Sequence, residues 1–160
     1  MRICVINPNS STSVTNHLRE TLNKIRRQDC ELTVICPEHG PVSIESAYDE
    51  TLAAYHIMDL VKKANEDGFD AIIIACFSDP GLDAAKEISK IPVIGIEEST
   101  LHVAAMLGHK FSIMTGMKRR VPTREWHTAF RGLSQSYAAS PVLGMSVLEM
   151  DADPEKGKPA

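Results

Sequence analysis

Cys76 closes a short apolar run, Asp70-Ala71-Ile72-Ile73-Ile74-Ala75, and is followed by Phe77-Ser78-Asp79-Pro80-Gly81-Leu82. A run of this length, rich in Ile, reads as a strand buried on both faces of a parallel sheet. Ser78 or Asp79 then caps a helix that Pro80 opens and that Leu82 to Ile88 continues. Cys76 is thereby expected just past the carboxyl end of a central strand and ahead of a helix N-terminus. Open α/β sheets bind ligands at that edge. Unpaired helix N–H groups favour a thiolate there, so a depressed thiol pKa and a reactive Cys76 are expected. A small buried cysteine ending a strand would leave the same local pattern.

Two other loops carry polar groups. Asn7-Pro8-Asn9-Ser10-Ser11 follows the apolar run Arg2 to Ile6. Asn9, Ser10 and nearby amides therefore fall at the same sheet edge, where they can hold a carbonyl or a carboxylate. Thr115-Gly116-Met117-Lys118-Arg119-Arg120 follows Lys110 to Met114. The Thr115 hydroxyl and the strand-end amides at Gly116 suit an anion or a developing oxyanion. At least two of Lys118, Arg119 and Arg120 are expected on a solvated helix face. Pro37-Glu38-His39-Gly40-Pro41 is a candidate lid or wall. The histidines are scattered without ligand spacing, His56 has no second ligand at i+4, and no Cys-x-x-Cys pair occurs, so no metal site is expected.

The scaffold follows from periodicity. Arg2 to Ile6 is a strand, and a helix runs from about Val14 to Arg27 with Leu18, Leu22 and Ile25 at helical spacing. Its cap comes from among Ser10, Ser11, Thr12 and Ser13. Glu31 to Cys36 is a second strand. A long helix opens at Ser46 and runs to about Asp67, with Leu52, Tyr55, His56, Met58, Leu60, Val61 and Ala64 on its apolar face and Gly68 as its stop. The Cys76 strand and its helix come next, then a strand over Ile91 to Ile96. This β-α-β-α-β-α-β order implies right-handed crossovers and a parallel sheet.

Beyond it, a helix is expected over Leu101 to Leu107, a strand over Lys110 to Met114 and a helix over Val121 to Leu133. Trp126 and Phe130 share a face of that helix, as core or interface packing. A strand over Val142 to Leu148 precedes a polar tail. The expected fold is α/β: a parallel-sheet domain with helices on both faces in residues 1–96, an incomplete second α/β lobe of similar design in 97–150, and a tail in 151–160.

The chain's 160 residues, 43% hydrophobic and 24% charged, suffice for a real core. A net charge of −4 gives no reason to expect nucleic acid or an anionic membrane surface as partner. No apolar run approaches the ~20 residues of a spanning helix, and a cytoplasmic protein is expected. Cys4, Cys30, Cys36 and Cys76 read as reduced thiols, three of them in or ending strands.

Several segments resemble, in order, the aspartate/glutamate/hydantoin racemase superfamily, in its hydantoin and allantoin racemase branch. They are Ile6-Asn7-Pro8-Asn9-Ser10-Ser11, Gly40-Pro41-Val42-Ser43-Ile44-Glu45, the run from Ala75 through Cys76-Phe77-Ser78-Asp79-Pro80-Gly81-Leu82 to Ala85, Pro92-Val93-Ile94-Gly95-Ile96, and Phe111-Ser112-Ile113-Met114-Thr115-Gly116. The resemblance implies racemisation, without metal or other cofactor, at a carbon flanked by carbonyl and nitrogen. Two cysteines act on opposite faces: one thiolate removes the proton, and the other thiol returns one. The implied substrate is a small molecule, a 5-substituted hydantoin, allantoin or a related amino-acid derivative. Cys76 matches the first of the family's cysteines. Asn9, Phe77, Thr115 and Gly116 fall where the family builds its pocket and oxyanion contacts, with Pro8 and Ser10 beside them.

The family's second cysteine lies on a later strand, beyond another helix, and none of Cys4, Cys30 or Cys36 fits its role. The chain is therefore expected to lack the C-terminal third of a racemase. Its exposed helix faces are expected to make a homo-oligomer. Two readings stand beside racemisation: a non-catalytic ureide- or hydantoin-binding module of the same fold, and an arylmalonate decarboxylase-like enzyme with one cysteine.

Overall fold

The structure, a computed structural model, describes residues 1–152. Its first compact unit, Met1–Glu97, alternates strand and helix: β1 (Arg2–Ile6), α1 (Thr12–Ile25), β2 (Glu31–Ile35), α2 (Ala47–Glu66), β3 (Ala71–Ile74), α3 (Leu82–Ile88) and β4 (Val93–Gly95). The strands form one parallel sheet in the order β2-β1-β3-β4, with Ile6 level with both Ile35 and Ile74. β1 and β3 are the interior strands, which explains their apolar sequences. Cys4, Val5, Ile6, Ile72 and Ile74 are all buried.

From α2, Ala53, Ile57, Val61 and Ala64 reach the core at spacings of four and three. The expected apolar face was thus offset: Val61 and Ala64 lie on it, whereas Tyr55 is exposed. Burying Ile57, Ile72 and Ile74 stabilises the unit by about 1.5–3 kcal/mol each. Ser46 caps α2 as expected, its Oγ accepting the Asp49 N–H at 3.2 Å and donating to the Asp49 carboxylate at 2.7 Å. α1 departs from its expected apolar face. Leu18 and Leu22 are half-buried, Ile25 is exposed, and the buried position is Thr15.

Arg2 secures the opposite, amino-terminal edge of the sheet. Its N–H donates to Asp70, its guanidinium donates to the carbonyls of Asp67 and Gly68, and its cation lies 4.7 Å from the centre of the Phe69 ring.

The second unit begins at Glu98 and holds most of α4 (Ile96–Leu107). It continues with β5 (Phe111–Ser112), a 3₁₀ turn over Lys118–Arg120, α5 (Val121–Phe130), β6 (Tyr137–Ala139) and α6 (Val147–Ala152). β5 and β6 pair in parallel, with the Phe111 and Tyr137 rings edge to face at 6.5 Å. Several expectations fail here. The strand over Lys110 to Met114 shrinks to two residues, and β6, the short run Tyr-Ala-Ala, is an addition to the expected elements. The strand over Val142 to Leu148 reduces to one bridge, Thr115 with Val142. From Val147 the chain is helical, because Ser146 and Glu149 form a reciprocal cap that outweighs the apolar run: Ser146 Oγ accepts the Glu149 N–H, and the Glu149 carboxylate accepts the Ser146 N–H.

Trp126 and Phe130 are 69% and 77% exposed, so they are not core residues of this chain. Lys118 and Arg119 are solvated as expected, but Arg120 is buried. Asp151 and Ala152, placed in the polar tail by the sequence reading, end α6. The remainder of the tail lies outside the described residues. Among the described residues no helix is long and apolar enough to cross a membrane.

Candidate active site

At their carboxyl ends the two interior strands stay side by side. The Ile6 carbonyl accepts the Ala75 N–H at 2.8 Å, and the Ile35 carbonyl accepts the Asn7 N–H at 2.8 Å. The loop after β1 and the loop after β3 therefore start as neighbours, which brings Pro8, Asn9 and Ser10 to the same rim as Cys76 and Phe77.

The first loop is held by its own side chains. Asn7 is buried, and its Nδ2 donates to Asn9 Oδ1 at 2.8 Å and to Thr15 Oγ1 at 3.0 Å. Asn9 Oδ1 also accepts the Ser11 N–H at 2.9 Å, and the Asn9 N–H points back to Asn7 Oδ1 at 3.3 Å. Thr15 closes the circuit by donating to the Ser11 carbonyl at 2.7 Å, which accounts for a buried threonine on α1. Ser11 caps the helix, accepting the Val14 N–H. With Oδ1 doubly engaged, the Asn9 side chain has its Nδ2 donors left to offer a ligand. Ser10 faces the next loop: its N–H donates to the Pro41 carbonyl at 3.0 Å and its Oγ to the Gly40 carbonyl at 3.1 Å. The Pro37–Pro41 segment is thus tied to the rim as a wall.

The second loop is held by backbone turns. The Cys76 carbonyl accepts the N–H of Ser78 at 2.8 Å and of Asp79 at 3.0 Å, and the Asp79 carbonyl accepts the Leu82 N–H at 3.1 Å. The first turn folds Ser78 back, so that its Oγ lies 3.4 Å from Cys76 Sγ. Cys76 is half-buried and Ser78 is buried. A hydroxyl at that distance can donate to a thiolate or accept from a thiol.

The expected cap on α3 is corrected. Neither Ser78 nor Asp79 caps it; Gly81, with φ +71°, precedes the first helical residue, and no side chain caps the helix. A Cβ at Gly81 would come within 2.9–3.1 Å of Met58 and Ala54 on α2, so the chain passes too close for a larger residue. α3 is seven residues long and starts six residues after Cys76, so the thiol does not stand at a helix N-terminus as the sequence suggested. Asp79 instead turns its carboxylate elsewhere, accepting the Glu97 N–H at 3.0 Å.

The four cysteines are thiols rather than disulfides. Cys4 lies on β1 within the core, where burial and then the charge of Asp67 push its thiol up from 9.0 to about 11. Cys36 follows β2, which β1 separates from β3. Among the described residues no group of three or more His, Cys, Asp or Glu side chains is gathered as for a metal ion.

Thr115 and Gly116 lie in the second unit. The Thr115 N–H donates to the Pro141 carbonyl at 2.9 Å, so this amide is engaged within the unit. The Thr115 carbonyl accepts the Leu143 N–H and the Gly116 carbonyl accepts the Gly144 N–H, both at 2.9 Å. A Cβ on Gly116 would overlap the Met145 carbonyl oxygen. The Thr115 hydroxyl and Gly116 N–H are the groups of this turn that a ligand can use. The sequence reading missed Ser78 as the partner of the thiol; a hydroxyl two residues after the cysteine was the available signal.

Residues 3–159 match the family model for Asp/Glu/Hydantoin racemase. The chain belongs to this family. A family member named hydantoin racemase, from Pseudomonas sp. (strain NS671), is 38% identical over 157 residues, which are 98% of this chain and 63% of that protein. Two solved family structures cover 98% of this chain at 34% identity: allantoin racemase from Klebsiella pneumoniae, with a TM-score of 0.93, and allantoin racemase from Pseudomonas fluorescens, with a TM-score of 0.90. The chain spans 66% of each of these and 63% of the hydantoin racemase.

Proposed function

We propose that Cys76 is an acid/base residue in cofactor-independent racemisation of a 5-substituted hydantoin, allantoin or a related amino-acid derivative. The ring's chiral carbon carries a proton acidified by the adjacent carbonyl. Cys76 as thiolate takes that proton, leaving a planar enolate-like intermediate. Returning a proton to the opposite face inverts the centre; returning it to the same face restores it. Asn9 Nδ2 is assigned to the substrate's carbonyl oxygens, where negative charge develops, a role that the family resemblance implies for Thr115 and Gly116 as well. Phe77, Pro8 and Ser10 are assigned to the walls.

The observation that carries this reading is the place of Cys76: a half-buried thiol against the Ser78 hydroxyl, on the rim shared with Asn9. The likeness to hydantoin and allantoin racemases supports the substrate class. Cys4, Cys30 and Cys36 are not assigned to the opposite face. Cys4 is sealed in the core with its thiol raised, Cys30 is buried ahead of β2, and Cys36 stands two strands, roughly 10 Å, from the β3 terminus. Self-association is proposed as well, through faces such as that of Trp126 and Phe130.

The test is optical rotation of an L-5-substituted hydantoin in deuterium oxide, with proton NMR at C5, for the chain and for Cys76→Ala. Deuterium uptake above the spontaneous rate, lost in Cys76→Ala, is expected. Uptake with rotation retained means that this chain serves one face alone; uptake with loss of rotation means that both faces are served. Saturable hydantoin binding with no uptake would overturn the reading in favour of a binding module.

A further inference from the structure

We infer that Asp79 and Gly95 form a positioning pair that holds the Cys76 turn in place. Asp79 is the junction of the two turns after β3, donating its N–H to the Cys76 carbonyl and accepting the Leu82 N–H. It adopts φ +44°, the one positive φ outside glycine among the described residues, and is buried. An L-residue in that conformation is held by its surroundings. Here the holding is visible. The carboxyl packs flat on Gly95 at the end of β4, where a Cβ would overlap its Cγ and both oxygens. Its Oδ1 accepts the N–H of Glu97, the second residue of α4 and itself fully buried.

β4 is hydrogen-bonded to β3, with Ile74 level with Gly95. The clamp therefore joins the loop leaving β3 to the chain leaving the neighbouring strand. The glycine supplies the space, the carboxylate supplies the acceptor, and the orphan N–H at the start of α4 supplies the donor. Cys76 is three residues upstream and its carbonyl accepts the N–H of both Ser78 and Asp79, so displacing Asp79 loosens the turn that sets Sγ beside Ser78. Asp79 does not touch the reacting atoms in this scheme. It acts through the thiol turn. The kinetic consequence rests on the proton-transfer reading above; the structural consequence does not.

The test uses the full chain with Asp79→Asn, Asp79→Gly and Gly95→Ala, each checked for native circular dichroism. Iodoacetamide is the probe, and peptide mass spectrometry reads alkylation of Cys76 relative to Cys36 in the same molecule. Asparagine and glycine both tolerate the backbone and both remove the charge, but asparagine keeps an acceptor and the group packed on Gly95 while glycine removes both and frees the backbone. Asp79→Gly is expected to be alkylated at Cys76 about fivefold faster than Asp79→Asn, and Gly95→Ala about fivefold faster than the parent, as the thiol leaves Ser78. In the deuterium-exchange assay the same two variants are expected to lose about tenfold or more in kcat with KM little changed, and Asp79→Asn to restore most of it.

Equal alkylation in Asp79→Asn and Asp79→Gly would overturn the positioning role. If Gly95→Ala fails to fold, the asparagine and glycine pair decides. The expected alkylation pattern in a chain that exchanges no deuterium would uphold the positioning role and overturn the proton-transfer reading instead.

Discussion

The loops after β1 and β3 leave neighbouring strands, face the same rim and end in helices, yet they are built on opposite plans. Between Asn7 and Thr15 the side-chain circuit is local, while Ser10 ties the loop to the Gly40 and Pro41 carbonyls. Asn7, Asn9, Ser11 and Thr15 satisfy one another, and Ser11 caps the helix it precedes. Between Cys76 and Leu82 the contacts include backbone turns and a carboxylate that reaches 18 positions along the chain. The first plan makes a rigid donor array from short-range polar groups. The second places the thiol's turn beside a residue whose carboxylate accepts from the start of a different helix, α4.

Breaking the first plan is expected to give the largest stability effect. Asn7→Ala removes the donor to Asn9 and Thr15 and the acceptor for the Asn9 N–H, leaving buried polar groups unmatched. It should lower the stability found by urea denaturation by about 3 kcal/mol.

The strand floor beneath both loops responds to pH. Burial and the Asp67 charge raise the Cys4 thiol from 9.0 to about 11, so the folded state keeps a proton that the unfolded chain gives up. Its contribution is full below pH 9 and is lost between pH 9 and about pH 11, on the order of 2 kcal/mol. Cys4→Val should flatten the urea midpoint over that interval, whatever its own packing cost. A slope unchanged by the substitution would assign the alkaline loss to other groups.

The smallest of these effects sharpens the contrast in capping. Ser11→Ala should cost about 1 kcal/mol, the usual worth of a side-chain cap. Thermal melts of Ser11→Ala and the parent would read it; no change would mean that the Asn7 network alone holds the start of α1.

The same contrast separates what could be read in advance from what could not. β1, β2, β3 and α2 announce themselves through apolar runs and periodicity, and Ser46 is a cap because its partner Asp49 stands three residues on. Cys76, Asn9 and Ser10 could be placed at the sheet edge by the same local logic. Asp79 could not. A Ser-Asp-Pro-Gly sequence ahead of a helix carries every signal of a local cap, and nothing nearby reveals that the carboxylate serves residue 97. Val147 failed for a related reason: an apolar run suggested a strand, while Ser146 and Glu149 specified a helix start. Tyr137–Ala139 pairs with a two-residue strand 26 positions earlier, a match that no local pattern encodes. Trp126 and Phe130 keep their helical spacing, but spacing alone cannot tell a core face from a surface one.

The parallel order of the sheet has a consequence for how the rim comes into being. Arg2 meets Asp70 across 68 positions, and no pair of neighbouring strands in this sheet is joined by a hairpin. Such pairings have high contact order, so folding is expected to be slow for a chain of this size. The Asn7 circuit can organise while the chain is still short, because its members span only nine residues. The Cys76 turn cannot be locked until Gly95 and Glu97 exist to receive it. On a ribosome, the thiol's final setting would be among the last features of the first unit to form, after the loop that faces it.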